Sequence, residues 1–223
     1  MHYRSGRAEA EALAAELPDA VALGADVTRE DEVDALFAAA LERYGRIDSC
    51  VATAGVWIER PAPVAEMTLE QFRRTLDVDL VGVFLTCRAF LRVVGRQGSG
   101  ALVLVGSTAG LVGEEGHADY ASAKAAIVRG FLLSVKNEIV RVAPTGRVNA
   151  VAPGWTATEM AADALAEPGA LERATRTMAL RKVATPEDVA RQIVVLASDE
   201  LSGHVTGEVV TVAGGMEGRL LHP

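Results

Sequence analysis

Aromatic residues make up only 4% of this chain, and cysteine occurs twice. Cys50 and Cys87 both sit in apolar segments and match no zinc-ligand spacing. They read as reduced core residues of a cytoplasmic protein, not as a disulfide framework. The four histidines, His2, His117, His204 and His222, are scattered. None pairs at metal-ligand spacing, so no metal site is expected. Positive charge is in deficit: Lys+Arg is 22 against Asp+Glu 30, a formal net charge of -8. That balance argues against a nucleic-acid or anionic-membrane surface. No long block of like charge suggests a disordered tail. The longest apolar stretch, residues 78–94, is interrupted by Asp79, Arg88 and Arg92. It is expected to be a buried helix and not a membrane span. The opening His2, Tyr3, Arg4 and Ser5 are polar, so no secretory leader is expected there.

What is present is a mixed pattern. The chain has 223 residues, half of them hydrophobic. That is enough for one sizeable domain, taken here as residues 1–223. Short β-branched runs end in small residues at 21–23, 49–52, 102–105, 147–151 and 209–212. These read as buried parallel strands. Helical segments separate them, and their starts are legible. Thr28 precedes the acidic Glu30 and Asp31, Thr68 stands three residues before Gln71 as a capping box, and Thr185-Pro186-Glu187-Asp188 combines a cap, a first-turn Pro and two acids. The alternation predicts an α/β fold: a doubly wound parallel sheet with helices on both faces. One insertion stands out, at about residues 155–181, with two short helical patterns broken at Pro168-Gly169. A substrate lid and a surface helical hairpin are both open readings.

Three residues carry chemistry. Tyr120 and Lys124 are four apart on one helical face. A free Tyr has a pKa of about 10, and a cation one turn away favours its phenolate. Ser107 follows the 102–105 strand within Gly106-Ser107-Thr108-Ala109-Gly110. A Ser just past a buried parallel strand sits at the edge where such sheets bind ligands, and its hydroxyl can donate to a substrate oxygen.

Ser107, Tyr120 and Lys124 in this order and spacing resemble the Ser-Tyr-x-x-x-Lys centre of the short-chain dehydrogenase/reductase family. Residues from about 2 to about 216 follow the family pattern. Asp26-Val27 resembles its adenine-contacting pair. The run from Val148 through Pro153-Gly154 to Thr158 resembles its loop under the nicotinamide, and Thr185-Pro186-Glu187-Asp188 and Gly214-Gly215 its C-terminal signature. The general resemblance is to 3-oxoacyl-[acyl-carrier-protein] reductases and related sugar or polyol dehydrogenases. The resemblance implies a Rossmann-like fold and hydride transfer between a nicotinamide cofactor and a carbonyl or secondary alcohol. Tyr120 would be the acid/base, Lys124 would depress its pKa and hold the ribose, and Ser107 would polarise the carbonyl. Cofactor contacts are implied for Arg4, Ser5, Asp26, Val27, Ala54, Gly55, Tyr120, Lys124, Pro153, Gly154, Thr156 and Thr158. Arg4 stands where the family meets the adenosine ribose; an acid there would bond a 2′-hydroxyl, whereas Arg can pair with a 2′-phosphate. NADP is therefore preferred over NAD.

The chain also departs from the family. No strand and glycine-rich turn of the Thr-Gly-x-x-x-Gly-x-Gly kind precedes Arg4. The resemblance thus implies an N-terminally truncated sheet lacking about thirty residues of strand and helix. Three consequences are open: a longer protein with an earlier start, which is favoured; a fragment that folds poorly or with a partner; or a rearrangement pairing the 21–23 and 49–52 strands directly. Without the missing strands, the strand at 49–52 is expected to become an unpaired apolar edge, open to aggregation or a new pairing. Ala52-Thr53-Ala54-Gly55 replaces the family's Asn-Asn-Ala-Gly, and Ala213 replaces an Asp. Asp79 replaces the Asn that completes a Ser-Tyr-Lys-Asn tetrad. Its charge is expected to raise the Tyr120 pKa, opposing Lys124.

Trp57, residues 111–117, Trp155 and residues 156–160 are expected to line an apolar substrate cleft. Glu114 and Glu115 read as an exposed acidic turn before any role with acids or amines. The helix at 78–94, apolar nearly all round, and the helix after Lys124 suggest a homotetramer or homodimer. Two rivals remain. A catalytically silent paralogue or truncated product could act as a binding or assembly subunit. A serine hydrolase would need Gly at the position of Val105 and a His-Asp pair that is not evident.

Overall fold

The computed structural model describes residues 1–58 and 60–216; His222 lies outside them. In chain order the elements are β1 (His2–Tyr3), α1 (Arg7–Ala15), β2 (Leu23–Gly24), α2 (Glu30–Tyr44), β3 (Ser49–Ala52) and α3 (Leu69–Leu76). A π-helical turn (Asp77–Val81) runs into α4 (Gly82–Gln97), followed by β4 (Ala101–Val105), α5 (Ala109–Val112) and α6 (Ala118–Ala125). A second π-helical turn (Ala126–Phe131) leads into α7 (Leu132–Val142) and β5 (Arg147–Pro153). A 3₁₀ turn (Glu159–Ala161), α8 (Ala162–Ala166), α9 (Ala170–Thr175), α10 (Pro186–Ala197), α11 (Asp199–Ser202) and β6 (Val209–Val212) complete the order.

Strands β3, β4, β5 and β6 form one parallel sheet in that order. The pleat sends alternate residues to opposite faces. Leu102, Leu104, Val148 and Ala150 enter a large core with α4 and α7. Val103 and Val151 point the other way, into a smaller core with Val189 and Leu196 of α10. Because both faces are covered, β4 and β5 are apolar at nearly every position and not alternately polar. This is the α/β, doubly wound arrangement that the alternation of runs predicts.

β1 and β2 form a separate two-stranded parallel pair, with His2 opposite Leu23 and Tyr3 opposite Gly24. Direct pairing of the 21–23 region with β3 therefore does not occur. The chain runs from β2 into α2, whose Val33 and Phe37 enter the main core together with Val27. Gly82 makes this docking possible: a Cβ there would stand 2.8 Å from Val27 Cγ2. β3 pairs with β4 on one side only among the described residues, and its Val51 is 39% exposed. The apolar edge expected from the sequence is present.

One of the three helix starts is as read and a second in part. The Thr68 hydroxyl accepts the Gln71 N–H at 3.1 Å, although the Gln71 side chain turns away to Asp119 and no reciprocal bond closes a box. Thr185 and Asp188 do form the full box. Thr28 is not a cap: its hydroxyl donates to Asp26 Oδ1 at 2.7 Å, and Arg29 occupies the cap position without a side-chain bond. The insertion breaks where Pro168-Gly169 stands, between α8 and α9, with Gly169 at φ 73°. Among the described residues no helix is long and apolar enough to cross a membrane, and no group of three or more His, Cys, Asp or Glu is placed to hold a metal.

Candidate active site

The C-terminal ends of β3, β4 and β5 open onto a cleft of about 420 Å³ lined by Ser107, Tyr120 and Lys124. Local sequence explains why these three meet. Past β4 the chain stays in register with β5, through Gly106 N–H to Val151 O at 2.8 Å and Thr108 N–H to Pro153 O at 2.9 Å. That holds Ser107 at the sheet edge, where the Ala109 N–H donates to its Oγ at 3.1 Å. Gly110 then lets α5 lie on the backbone of α6: a Cβ at Gly110 would come within 2.5 Å of Lys124 C and 2.6 Å of Ala125 N. From the other side Asp119 clamps α6 to α3. Its Oδ2 accepts the Thr75 hydroxyl at 2.8 Å and the Gln71 amide at 3.2 Å, and its Oδ1 accepts the Tyr120 N–H at 2.9 Å. Sequence reading missed Asp119, which shows itself only as an acid beside the Tyr.

Lys124 is buried, donates to Val105 O at 3.1 Å, and sits 5.4 Å from the centroid of the Tyr120 ring. Asp79, on the first π-helical turn, lies behind it. Asp79 Oδ1 accepts the Val56 N–H at 2.6 Å, and Oδ2 is 3.8 Å from Lys124 Nζ with no hydrogen-bond partner. Burial pushes the Asp79 carboxyl above the usual carboxylate range, against the pull of Lys124 and the Val56 N–H, with Asp119 adding to the rise. Burial also lowers the Lys124 ammonium, with Asp79 opposing. The Tyr120 phenol is pushed up to about 12, first by burial; the Ser107 hydroxyl works against this, and Asp79 and Glu114 add to it. The expectation of a phenol held low by Lys124 is thus reversed. Desolvation of the phenolate leads, and the Ser107 hydroxyl is the group that opposes it. The expected upward push from Asp79 is there.

The residues expected at the cofactor fall into three groups. Gly55, Pro153, Gly154, Thr156 and Thr158 line the main cleft with Tyr120 and Lys124. Arg4 and Asp26 line a second cleft of about 530 Å³, with Arg73 and Arg74 of α3. Ala54 and Val27 instead turn their side chains into the core, and Ser5 is exposed and lines neither cleft. The nicotinamide end suits a flat ring and ribose. At Gly55 a Cβ would stand 3.3 Å from both Lys124 Nζ and Asp79 Oδ1, so the bare backbone keeps the space beside the ammonium open.

On the substrate side Trp57 and Trp155 meet edge to face, with centroids 6.1 Å apart. Met160 and Ala161 of the insertion and Val189 and Ile193 of α10 extend the apolar wall. The contribution of α10 was not legible, since its apolar positions read equally well as core. Of residues 111–117 only Glu114 lines the cleft. Its side chain is 27% exposed and accepts the Trp57 indole N–H at 3.3 Å, so it is no surface acid. Glu115 is exposed, as expected. His117 is buried behind Trp57, stacked on it at 4.8 Å, with its ring nitrogens facing Glu115 O and Ile58 O.

Comparison with known proteins agrees with this geometry. Residues 1–217 match the family model described as enoyl-(acyl carrier protein) reductase. The chain is 36% identical over 220 residues to a 3-oxoacyl-[acyl-carrier-protein] reductase of Synechocystis sp., covering 97% of this chain and 85% of that protein. It is 39% identical over 191 residues to a cis-4-hydroxycyclohexanecarboxylate dehydrogenase of Sinomonas cyclohexanicum, covering 85% of this chain and 74% of that one. The crystal structure of gox2181 superposes with a TM-score of 0.82 at 29% identity, over 87% of this chain and 74% of that one. The chain belongs to the short-chain dehydrogenase/reductase family of NAD(P)-dependent oxidoreductases that act on carbonyl and alcohol groups.

Proposed function

We propose that this cleft reduces a ketone with an apolar body, Tyr120 delivering the proton, Ser107 holding the carbonyl and Lys124 holding the ribose of the cofactor. The observation that carries this reading is the convergence of these three side chains on one cleft at the C-terminal edge of the sheet. A bound nicotinamide supplies the hydride to the carbonyl carbon. As negative charge grows on the carbonyl oxygen, the Ser107 hydroxyl donates to it and the Tyr120 phenol gives up its proton, leaving a secondary alcohol. A phenol raised to about 12 keeps its proton until that moment, which suits the reductive direction. Lys124, close to the ring, then stabilises the phenolate that remains.

NADP(H) is the proposed cofactor. Arg4 lines the second cleft with Arg73 and Arg74, alongside the acids Asp26, Glu70 and Asp77, and its guanidinium is the group that can pair with a 2′-phosphate. Asp26 is held below the usual carboxylate range, chiefly by the Thr28 hydroxyl and N–H. The insertion at residues 155–181 is proposed as a substrate lid, supported by Met160 and Ala161 on the cleft wall. A homodimer or homotetramer is proposed through α4 and α7, whose groove of about 660 Å³ is lined by Phe84, Leu91, Phe131 and Val142.

The test is a fluorescence titration with NADPH and NADH, followed by turnover of Tyr120→Phe. NADPH is expected to bind more tightly than NADH, and the variant to bind it about as well while losing turnover by about 100-fold or more. Full turnover by Tyr120→Phe would sink the assignment. Binding of neither nucleotide would favour the silent-subunit reading.

A further inference from the structure

Glu114 is a carboxyl in the wrong place for a surface loop. It is held by a turn between two glycines in the left-handed region, Gly113 at φ 85° and Gly116 at φ 79°. The turn is itself pinned: Ala62 N–H donates to Gly116 O at 2.9 Å, and His117 N–H to Glu114 O at 3.1 Å. A Cβ at Gly116 would strike Pro61 Cβ at 2.5 Å, so a glycine there lets the turn lie this close to its neighbour. The side chain is thereby directed at Trp57 and the cleft.

Only one of its two oxygens is used. Oε1 accepts the Trp57 indole N–H at 3.3 Å and lies 3.5 Å from His117 Nδ1. Oε2 has no hydrogen-bond partner among the described residues. The remaining charged group on the cleft wall, Lys124, is engaged by Val105 O and faces Asp79. The other walls are largely apolar: Trp57, Trp155, Met160, Val189 and Ile193. A half-buried carboxyl with a free acceptor, alone of its sign on such a wall, is where a ligand's polar group gains most and where a second anion loses most.

We infer that Glu114 selects the substrate, accepting a hydrogen bond from a hydroxyl or amine borne away from the reacting carbonyl and rejecting substrates that carry a carboxylate there. The inference rests on the ketone-reductase reading of the cleft and adds a substrate class to it: polar-tipped, non-anionic ketones whose apolar body lies against the two tryptophans. It separates this cleft from that of the Sinomonas relative, whose named substrate bears a carboxylate.

Three cyclohexanones test it, carrying opposite the carbonyl a hydroxymethyl, a methyl or a carboxylate group. The wild-type chain is expected to favour the hydroxymethyl ketone over the carboxylate by about tenfold or more in kcat/KM. Glu114→Gln, which keeps an acceptor for Trp57 but no charge, is expected to cut that ratio by about tenfold, chiefly by improving the carboxylate. Glu114→Leu is expected to erase the preference for hydroxymethyl over methyl. An unchanged ratio in Glu114→Gln, or a wild-type preference for the carboxylate, overturns the inference. A second arm needs no turnover: quenching of tryptophan fluorescence by hydroxymethylcyclohexane and by cyclohexanecarboxylate, in wild type and Glu114→Gln. If none of the ketones is reduced but the alcohol binds better in a Glu114-dependent way, the reaction assigned to the cleft fails and the selectivity stands. Equal binding of both compounds in both proteins overturns the selectivity.

Discussion

Replacing Asp79 with Asn separates two views of a buried ion pair. On one view the pair with Lys124, 3.8 Å apart, is a stabilising bridge. Coulomb attraction at that distance is about 4 kcal/mol at an effective dielectric of about 20. On the other view the cost of removing both ions from water, several kcal/mol each, exceeds this gain. The structure favours the second. Asp79 is buried, one of its oxygens has no hydrogen-bond partner, and burial is the leading cause that raises its carboxyl.

The direction of the effect with pH follows. In the unfolded chain the carboxyl ionises near pH 4, at about 3.9. In the folded chain it holds its proton to a higher pH. Between those two values the folded state binds more protons than the unfolded state, so wild-type stability falls as pH rises, by about 1.4 kcal/mol for each pH unit separating them. Asn cannot ionise and escapes that loss. Lys124 reinforces the trend. Its folded value is already lowered and loses the support of Asp79 in the variant, so any deprotonation it undergoes relieves a cost as pH rises. Urea denaturation from pH 4 to 8 is therefore expected to show Asp79→Asn gaining on wild type with rising pH. The Val56 N–H keeps an acceptor in the amide, so the fold survives the exchange. A variant that loses ground to wild type as pH rises would show that the ion pair is net favourable and refute the reasoning. Turnover should respond too. One cause of the raised Tyr120 phenol is removed, and the pH profile for alcohol oxidation is expected to move to lower pH.

Two further outcomes follow from packing. Gly110→Ala puts a methyl within 2.5–2.7 Å of Lys124 and Ala125 backbone atoms; α5 must lift from α6, at a cost of about 1–3 kcal/mol, and turnover should fall more than nucleotide affinity. Equal stability by thermal melting would show that the crossing has slack. Phe84 on the outer face of α4 is 43% exposed and meets Phe131 edge to face. If α4 and α7 form the interface, Phe84→Glu is expected to shift a dimer or tetramer toward monomer in sedimentation equilibrium, and a monomeric wild type removes that proposal.

What could be read in advance divides along a physical line. Strands β4 and β5 are buried on both faces by helices, so their burial is written as unbroken apolar runs, and the runs located them to within a residue or two. Ser107, Tyr120 and Lys124 were found because their spacing is fixed by one sheet edge and one helical turn, both of which sequence distance measures directly. The misses are long-range. Thr28 has the residue type of a helix cap, yet Asp26 two residues earlier takes its hydroxyl. The core placement of the Val27 side chain was likewise not legible, because Gly82, more than fifty residues on, opens the hole that it fills.

Glu114 is the instructive case. As sequence it stands in Gly113-Glu114-Glu115-Gly116, and composition alone gives both acids to solvent. Only the pinned turn and the indole of Trp57, 57 residues away, divide them into one acid on the cleft wall and one outside. The same holds for the Tyr120 phenol. A Lys four residues on argues for a lowered pKa, and that argument is sound for a solvated helix. It fails here because the sheet, α3 and the cleft walls remove the water that would have stabilised the phenolate. Reaction class is thus carried by local spacing. Proton affinity and substrate choice are set by which distant side chains close the site, and single substitutions at Asp79 and Glu114 should move them without moving the fold.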